Sequence, residues 1–256
     1  ATCWYVYGSD QAFLLATPAV SAPTIADCDH AAPGSVLHAA PAAPPVEARA
    51  VWLDTLHLRW PEMASAGRFR LHHSRTAAIA AAVGAAVTGA DGALELQVVR
   101  EPLAAAVESR FRHVGAGITL RVTGADQARL RDLHREQLLL VRESDDGRVL
   151  DVTRLQSPGA LDDLYAEASA ATLGAVVTRR DTRFALWAPT ARSVAVCLYP
   201  KGTGPASRLV AMQLDDDSGT WQANVARNLA GQYYTYLVDV PVDGIGIVRN
   251  RVTDPY

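Results

Sequence analysis

From residue 183 to the end of the chain, apolar and polar residues alternate in short runs. Phe184, Leu186 and then Val194, Val196 and Leu198 share a two-residue period, which is the signature of half-buried strands. Between them Trp187-Ala188-Pro189-Thr190 forms a sharp corner. The pattern predicts strands at 183–187, 193–199, 207–214, 220–225, 232–240 and 245–252. Gly202, Gly204, Asp217-Ser218-Gly219, Gly231 and Asp243-Gly244 supply the turns. Six short strands within about 80 residues, with no helical period among them, describe an immunoglobulin-like sandwich. On the first of these strands Phe184 and Leu186 point one way and Trp187 the other.

A second strand series lies upstream. It runs through 50–53, 56–60, 67–73, 92–99, 117–122, 137–142 and 149–152, with Asp145-Asp146-Gly147 as a hairpin turn. Residues 103–111 read as a short helix, and Trp52 and Trp60 read as core. Between the series, Ser157-Pro158-Gly159 breaks the pattern and 160–168 reads as a helix. Leu161, Leu164, Tyr165 and Ala168 fall on one side of it. Asp162 and Asp163 are placed in its first turn, where carboxylates favour the helix dipole. The first 48 residues are rich in Ala and Pro, without sustained period beyond a short strand near Val36-Leu37-His38.

The expected fold is therefore all-β: two tandem immunoglobulin-like β-sandwich domains joined by a short helical linker. The expected parts are an Ala/Pro-rich lead-in at 1–48, a first sandwich at 49–158, a helical joint at 159–175 and a second sandwich at 176–256. Nothing alternates strand and helix eight times, so no (β/α)₈ barrel is expected.

Composition narrows the chemistry. Of 256 residues 49% are hydrophobic and 20% charged, as in globular proteins. The formal charge of −3 offers no basic footprint, so neither nucleic acid nor a membrane is an expected partner. Lys201 is the only lysine, and the bias to Arg and Ala resembles GC-rich bacterial coding. No apolar run reaches the ~18 residues of a membrane span. The chain starts without Met, which suggests a processed start; a secreted or periplasmic location is favoured over a cytoplasmic one. Cys197 reads as a small core hydrophobe, while Cys3 and Cys28 could pair in an oxidising compartment.

Candidate chemical groups are few. Asp162-Asp163 is a carboxylate pair, but adjacent helix residues diverge, so catalysis is not expected there. Asp215-Asp216-Asp217-Ser218-Gly219 lacks the alternate spacing and closing Glu of an EF-hand and reads as a solvated turn. His72 and His73, adjacent on a strand, face opposite sides. No catalytic, cofactor or metal residue is expected in this chain. Trp187 and Trp221 are the large aromatics of the second sandwich and its candidate carbohydrate-binding residues, since rings stack on the apolar faces of glucose units. For Trp187, packing against a neighbouring domain is the competing role. Tyr233, Tyr234 and Tyr236 are expected to serve the core and the sheet edge.

Three stretches carry a family resemblance. Asp151-Val152-Thr153-Arg154-Leu155-Gln156-Ser157-Pro158-Gly159-Ala160-Leu161-Asp162-Asp163-Leu164-Tyr165 is similar to the joint of pullulanase-type debranching enzymes. Phe184 to Ala191 resembles their Trp-Ala-Pro-Thr-Ala corner. Gly231-Gln232-Tyr233-Tyr234-Thr235-Tyr236 with the terminal Val252-Thr253-Asp254-Pro255-Tyr256 is the third. Ala48 to Leu53 and Leu58-Arg59-Trp60-Pro61 resemble the family's preceding β-domain. The resemblance implies a family-48 carbohydrate-binding module as the second sandwich. It implies a parent that is a retaining hydrolase of α-1,6-glucosidic branches, with its catalytic carboxylates on a barrel outside this sequence. On that basis the chain is expected to be a catalytically inert N-terminal accessory region, with the ending at Tyr256 read as a truncation. Its implied partners are the parent's catalytic barrel and α-glucan (starch, glycogen or pullulan), held weakly. No cofactor is implied for the fragment, calcium being left to the full-length parent. A stand-alone glycogen- or starch-recognition or partner-binding β-sandwich protein is the alternative.

Overall fold

The computed structural model of the protein describes residues 11–15, 17–18, 21–29, 37–41, 46–61, 63 and 67–256. It is dominated by strands, and two compact units divide it. One is Pro45–Ala166; the other is Glu167–Tyr256 together with the described residues ahead of Pro45. No helix among the described residues is long and apolar enough to cross a membrane.

The leading strands are β1 (Gln11–Leu15), β2 (Thr17–Pro18) and β3 (Leu37–Pro41), with β1 and β3 paired antiparallel. Val36, part of the expected strand there, lies outside the described residues.

The first module contains β4 (Ala50–Trp52), β5 (His57–Pro61), β6 (Arg68–Ser74), β7 (Gly92–Val99), α1 (Ala105–Arg110), β8 (Gly117–Val122), α2 (Leu130–Leu133), β9 (Gln137–Glu143), β10 (Val149–Thr153), β11 (Leu155–Gln156) and α3 (Pro158–Leu164). Its strands form one ladder in the order β10-β9-β6-β7-β8-β5-β4-β11. The ladder curls back on itself. Just ahead of β4, Arg49 N–H donates to Thr153 Oγ1 at 2.8 Å, and the Arg49 guanidinium meets Asp151 on β10 at the far end of the order. Period-two alternation fills the interior: Leu58, Trp60, Leu71, Leu120 and Leu140 are fully buried, and Trp60 meets Phe69 edge-on at 6.3 Å. Trp52 and Trp60 are core, as their pattern predicts.

Helix α3 is docked on this core, with Ala160 and Tyr165 buried. It begins at Pro158 rather than 160, because proline is pre-organised for a first helical turn. Asp162 and Asp163 therefore fall beyond the first turn, and the dipole explanation fails. Asp163 instead binds the Arg110 guanidinium at 2.7 Å.

The second module contains β12 (Gly174–Val177), β13 (Thr182–Trp187), β14 (Ser193–Tyr199), β15 (Arg208–Ala211), β16 (Gln213–Asp215), β17 (Thr220–Val225), β18 (Tyr233–Val242) and β19 (Gly246–Val252). Two sheets result, β12-β13-β17-β16 and β15-β14-β18-β19-β2. Phe184, Leu186, Val196, Leu198, Trp221 and Tyr236 belong to the buried cluster of this module. The expected strand at 207–214 is two strands. It breaks at Met212, which is buried in the core, so that β15 joins one sheet and β16 the other.

The cysteines depart from expectation. Cys28 is bonded to Cys197, with S–S 2.01 Å and Cα–Cα 5.8 Å. Cys3 lies outside the described residues. Cys197 is buried, but on the face of β14 opposite the core, beside Tyr199 and Leu237. There it meets the helical turn Ile25–Cys28. Residues separated by 169 positions come together because the leading segment is strapped across the second module.

Candidate functional site

The two sheets of the second module offer two outer faces, and they differ. Over β14 and β18 the strap covers Cys197, Tyr199 and Leu237, while Tyr233 at the end of that face stays exposed. Tyr199 Oη donates to the Cys28 carbonyl at 2.6 Å, and Arg251 reaches the same carbonyl at 2.9 Å. Ala206 N–H donates to Asp29 Oδ1 at 3.2 Å. Arg249, 6% exposed, pairs with Asp239 at 2.9 Å and with Asp27 at 3.1 Å. A buried guanidinium needs this saturation, because an unpaired buried charge is costly. Its raised pKa follows from hydrogen bonding to Asp239, against the cost of burial.

The outer face of the other sheet carries the aromatic candidate. Trp187 ends β13 and is half-buried, with Leu186 buried on the opposite side as alternation requires. Its indole N–H donates to the Ser218 carbonyl at 3.1 Å, which fixes the ring's orientation. That carbonyl belongs to the turn after β16. Ser218 Oγ donates to Asp215 Oδ2 at 2.7 Å, Asp217 N–H donates to Asp215 Oδ1 at 3.2 Å, and Gly219 takes the left-handed φ of 67°. The Asp215 carboxylate is thus an acceptor inside its own turn. Among the described residues no group of three or more His, Cys, Asp or Glu side chains is arranged to hold a metal ion.

Register places Ala185 opposite Gln222, Arg183 opposite Asn224, and Gln222 opposite Gln213. The three amides are exposed, and Ala185 is small. Beside Trp187 the face therefore presents a fixed ring flanked by groups that both donate and accept hydrogen bonds. Gln222 Nε2 donates to Thr220 Oγ1 at 3.0 Å, which orders the amide nearest the ring.

Trp221 sits differently. It pairs with Leu186 across the sheet, is 7% exposed and lies in the core. Its N–H donates to the Ala188 carbonyl at 3.0 Å, so it braces the corner behind Trp187. The two tryptophans are on opposite faces and form no joint platform.

The remaining candidates are structural in their contacts. His72 meets Glu143 at 2.7 Å and His73 meets Glu136 at 2.7 Å, on opposite sides of β6 as expected. Tyr236 is core and Tyr234 partly so, while Tyr233 is 57% exposed. Tyr234 and Tyr236 both donate to Asp254 Oδ2, at 2.5 and 3.2 Å. Burial first, and then the Asp254 carboxylate, push both phenols well above their ordinary pKa.

The amides Gln213, Gln222 and Asn224 were not singled out in the sequence. Their signal is the polar phase of Trp221-Gln222-Ala223-Asn224-Val225, which alternation assigns to the outer face.

Comparison with known proteins gives this architecture its class. Residues 47–163 match the Pullulanase N2 domain family, and residues 172–256 match carbohydrate-binding module 48, the isoamylase N-terminal domain. The chain is 29% identical over 216 residues to a pullulanase of Klebsiella pneumoniae, covering 82% of this chain and 19% of that protein. It is 30% identical over 195 residues to pullulanase 1, chloroplastic, of Arabidopsis thaliana, covering 76% of this chain and 20% of that one. The crystal structure of apo pullulanase from Klebsiella pneumoniae superposes with a TM-score of 0.72 at 28% identity, over 82% of this chain and 22% of the other. The two modules match domains of the N-terminal accessory region of pullulanase-type debranching enzymes. The chain spans about a fifth of the length of the curated relatives it matches.

Proposed function

We propose that this chain is the glucan-holding accessory part of a debranching enzyme that hydrolyses α-1,6-glucosidic branches. Hydrolysis would belong to the part of such an enzyme that lies outside these two modules. The α-glucan would rest on the outer face of the β12-β13-β17-β16 sheet, with Trp187 as the stacking ring and Gln222, Asn224 and Gln213 meeting hydroxyls. One observation carries the choice of face: the strap covers Cys197, Tyr199 and Leu237 of the companion sheet, while this sheet keeps an oriented aromatic beside exposed amides. A ring held by its own N–H is pre-organised, which lowers the ordering cost of binding.

Residues 49–158 and 176–256 are proposed as the two functional domains, with 159–175 as the joint. Trp221 would act through the Ala188 corner rather than by touching sugar.

Affinity electrophoresis through gels containing amylopectin tests the site. Retardation of the intact chain is expected, and Trp187→Ala should weaken it about tenfold, or about 1.4 kcal/mol. An unretarded wild-type chain, or a Trp187→Ala variant retarded as strongly as wild type, would contradict the assignment.

A further inference from the structure

Many arginines of this fold are ion-paired, although exposed Arg100, Arg112, Arg121 and Arg208 are not among them. Arg49 meets Asp151, Arg59 meets Glu108, Arg110 meets Asp163 and Arg249 meets Asp239. One end of the second module gathers four arginines that are neither paired nor buried. Arg179, Arg180, Arg183 and Arg227 are all exposed there. Among the described residues none of the four has an ion pair or a side-chain hydrogen bond.

Local bonding brings the four together. Thr178 N–H donates to the Asp181 carbonyl at 2.8 Å, closing a tight turn that holds Arg179 and Arg180. Asn228 Nδ2 donates to the Thr178 carbonyl at 2.8 Å, and Thr182 Oγ1 donates to the Arg227 carbonyl at 3.0 Å. The turn at 226–228 is thereby laid against the turn at 178–181. Arg183 follows directly on β13. The one carboxylate within this turn, Asp181, accepts the Thr178 hydroxyl. Like charges gathered at one end of the module repel one another, so the cluster opposes folding slightly and favours an anionic visitor. In a chain of net charge −3, such concentration is local rather than general.

Position says which anion. Arg183 and Trp187 lie on the same face of β13, four residues apart, or about 13 Å along the strand. Exposed Asn224 and Gln222 lie alongside that path. The acidic turn Asp215-Asp216-Asp217 is at the Trp187 end, and the arginines are at the other. A glucan stacked on Trp187 and laid along β13 therefore runs from an acidic margin to a basic one.

We propose that this basic end binds phosphate monoesters carried on an α-glucan. Guanidinium forks match phosphate oxygens two at a time, which an ammonium cannot do. The inference rests on the Trp187 reading and adds a preference among glucans.

The test compares amylopectin phosphorylated on glucose C6 with the same polymer after phosphatase treatment, using the whole chain at low ionic strength. Wild type should bind the phosphorylated polymer about tenfold more tightly, and 0.3 M salt should erase most of the difference, as screening requires. Replacing Arg179, Arg180, Arg183 and Arg227 together with Gln should abolish the preference and leave binding to the dephosphorylated polymer unchanged. Lysine at the same four positions should restore only part of it. Equal wild-type affinity for both polymers would overturn this inference alone. Binding of neither would overturn it together with the Trp187 face. A preference that survives in the Gln variant would also refute it, by placing the phosphate elsewhere.

Discussion

A β-carbon on Gly159 would lie 2.3 Å from the Leu53 carbonyl oxygen and 2.6 Å from that of Trp52. Only glycine lets α3 approach β4 so closely. Gly159→Ala should therefore destabilise the first module by about 2 kcal/mol, the usual cost of overpacking. Urea unfolding checks this, and an unchanged midpoint would contradict it. His134 makes a second case. It is 5% exposed, packed edge-on against Trp52 at 5.1 Å, and burial lowers its pKa to about 4. Above its ordinary 6.5 both folded and unfolded forms are neutral, and nothing changes. Between 6.5 and about 4 the unfolded chain takes up the proton and the folded one does not. Stability should fall through that window by about 3 kcal/mol in total. His134→Phe should remove this part of the pH dependence, and an equally steep profile in the variant would count against the burial argument. At this scale the sequence was informative where alternation rules. Trp52, Trp60, Phe184 and Leu186 could be assigned to the core from their period alone. The burial of Cys197 could also be read, but not its partner, because a bond across 169 positions leaves no local pattern.

Among the elements, the strap over β14 and β18 departs most from what local pattern suggests. An Ala- and Pro-rich segment without period reads as a lead-in, yet residues 21–29 cover Cys197, Tyr199 and Leu237. The disulfide closes a long loop, and chain-entropy arguments assign such a link about 5 kcal/mol. Cys28→Ser with Cys197→Ser should lower stability by up to that amount in urea. Arg249→Ala, which strands Asp239 beneath the strap, should cost about 3 to 5 kcal/mol. A double cysteine variant as stable as wild type would mean that the polar ties alone secure the segment. The strands themselves were mostly legible, since β5 to β9 and β13, β14 and β17 to β19 follow their apolar period. The break at Met212 was not, because an apolar residue continues the alternation while the backbone passes from one sheet to the other. The short edge strands β11 and β12 also escaped, being two and four residues long.

In the whole molecule, the first module comes in chain order after the strap and before the sandwich that the strap clasps. Proteolytic cleavage anywhere between the cysteines should leave two pieces that migrate together without reductant and separately with it. Separation without reductant would disprove the Cys28–Cys197 bond. The class of module was legible in the sequence, and Trp187 was legible as a candidate for titration to test. The amide partners emerged only when register set Gln222 and Asn224 beside β13. The proposed choice of face rests on the strap, which covers Cys197, Tyr199 and Leu237 on the other. The most direct test is an amide and indole NMR titration of the intact chain with maltoheptaose. Shifts should concentrate on the Trp187 indole N–H and on the Gln213, Gln222 and Asn224 side-chain amides, leaving Tyr199 and the strap unmoved. Shifts centred on Tyr199, Tyr233 and residues 21–29, or no shifts at all, would contradict a glucan seat on the Trp187 sheet.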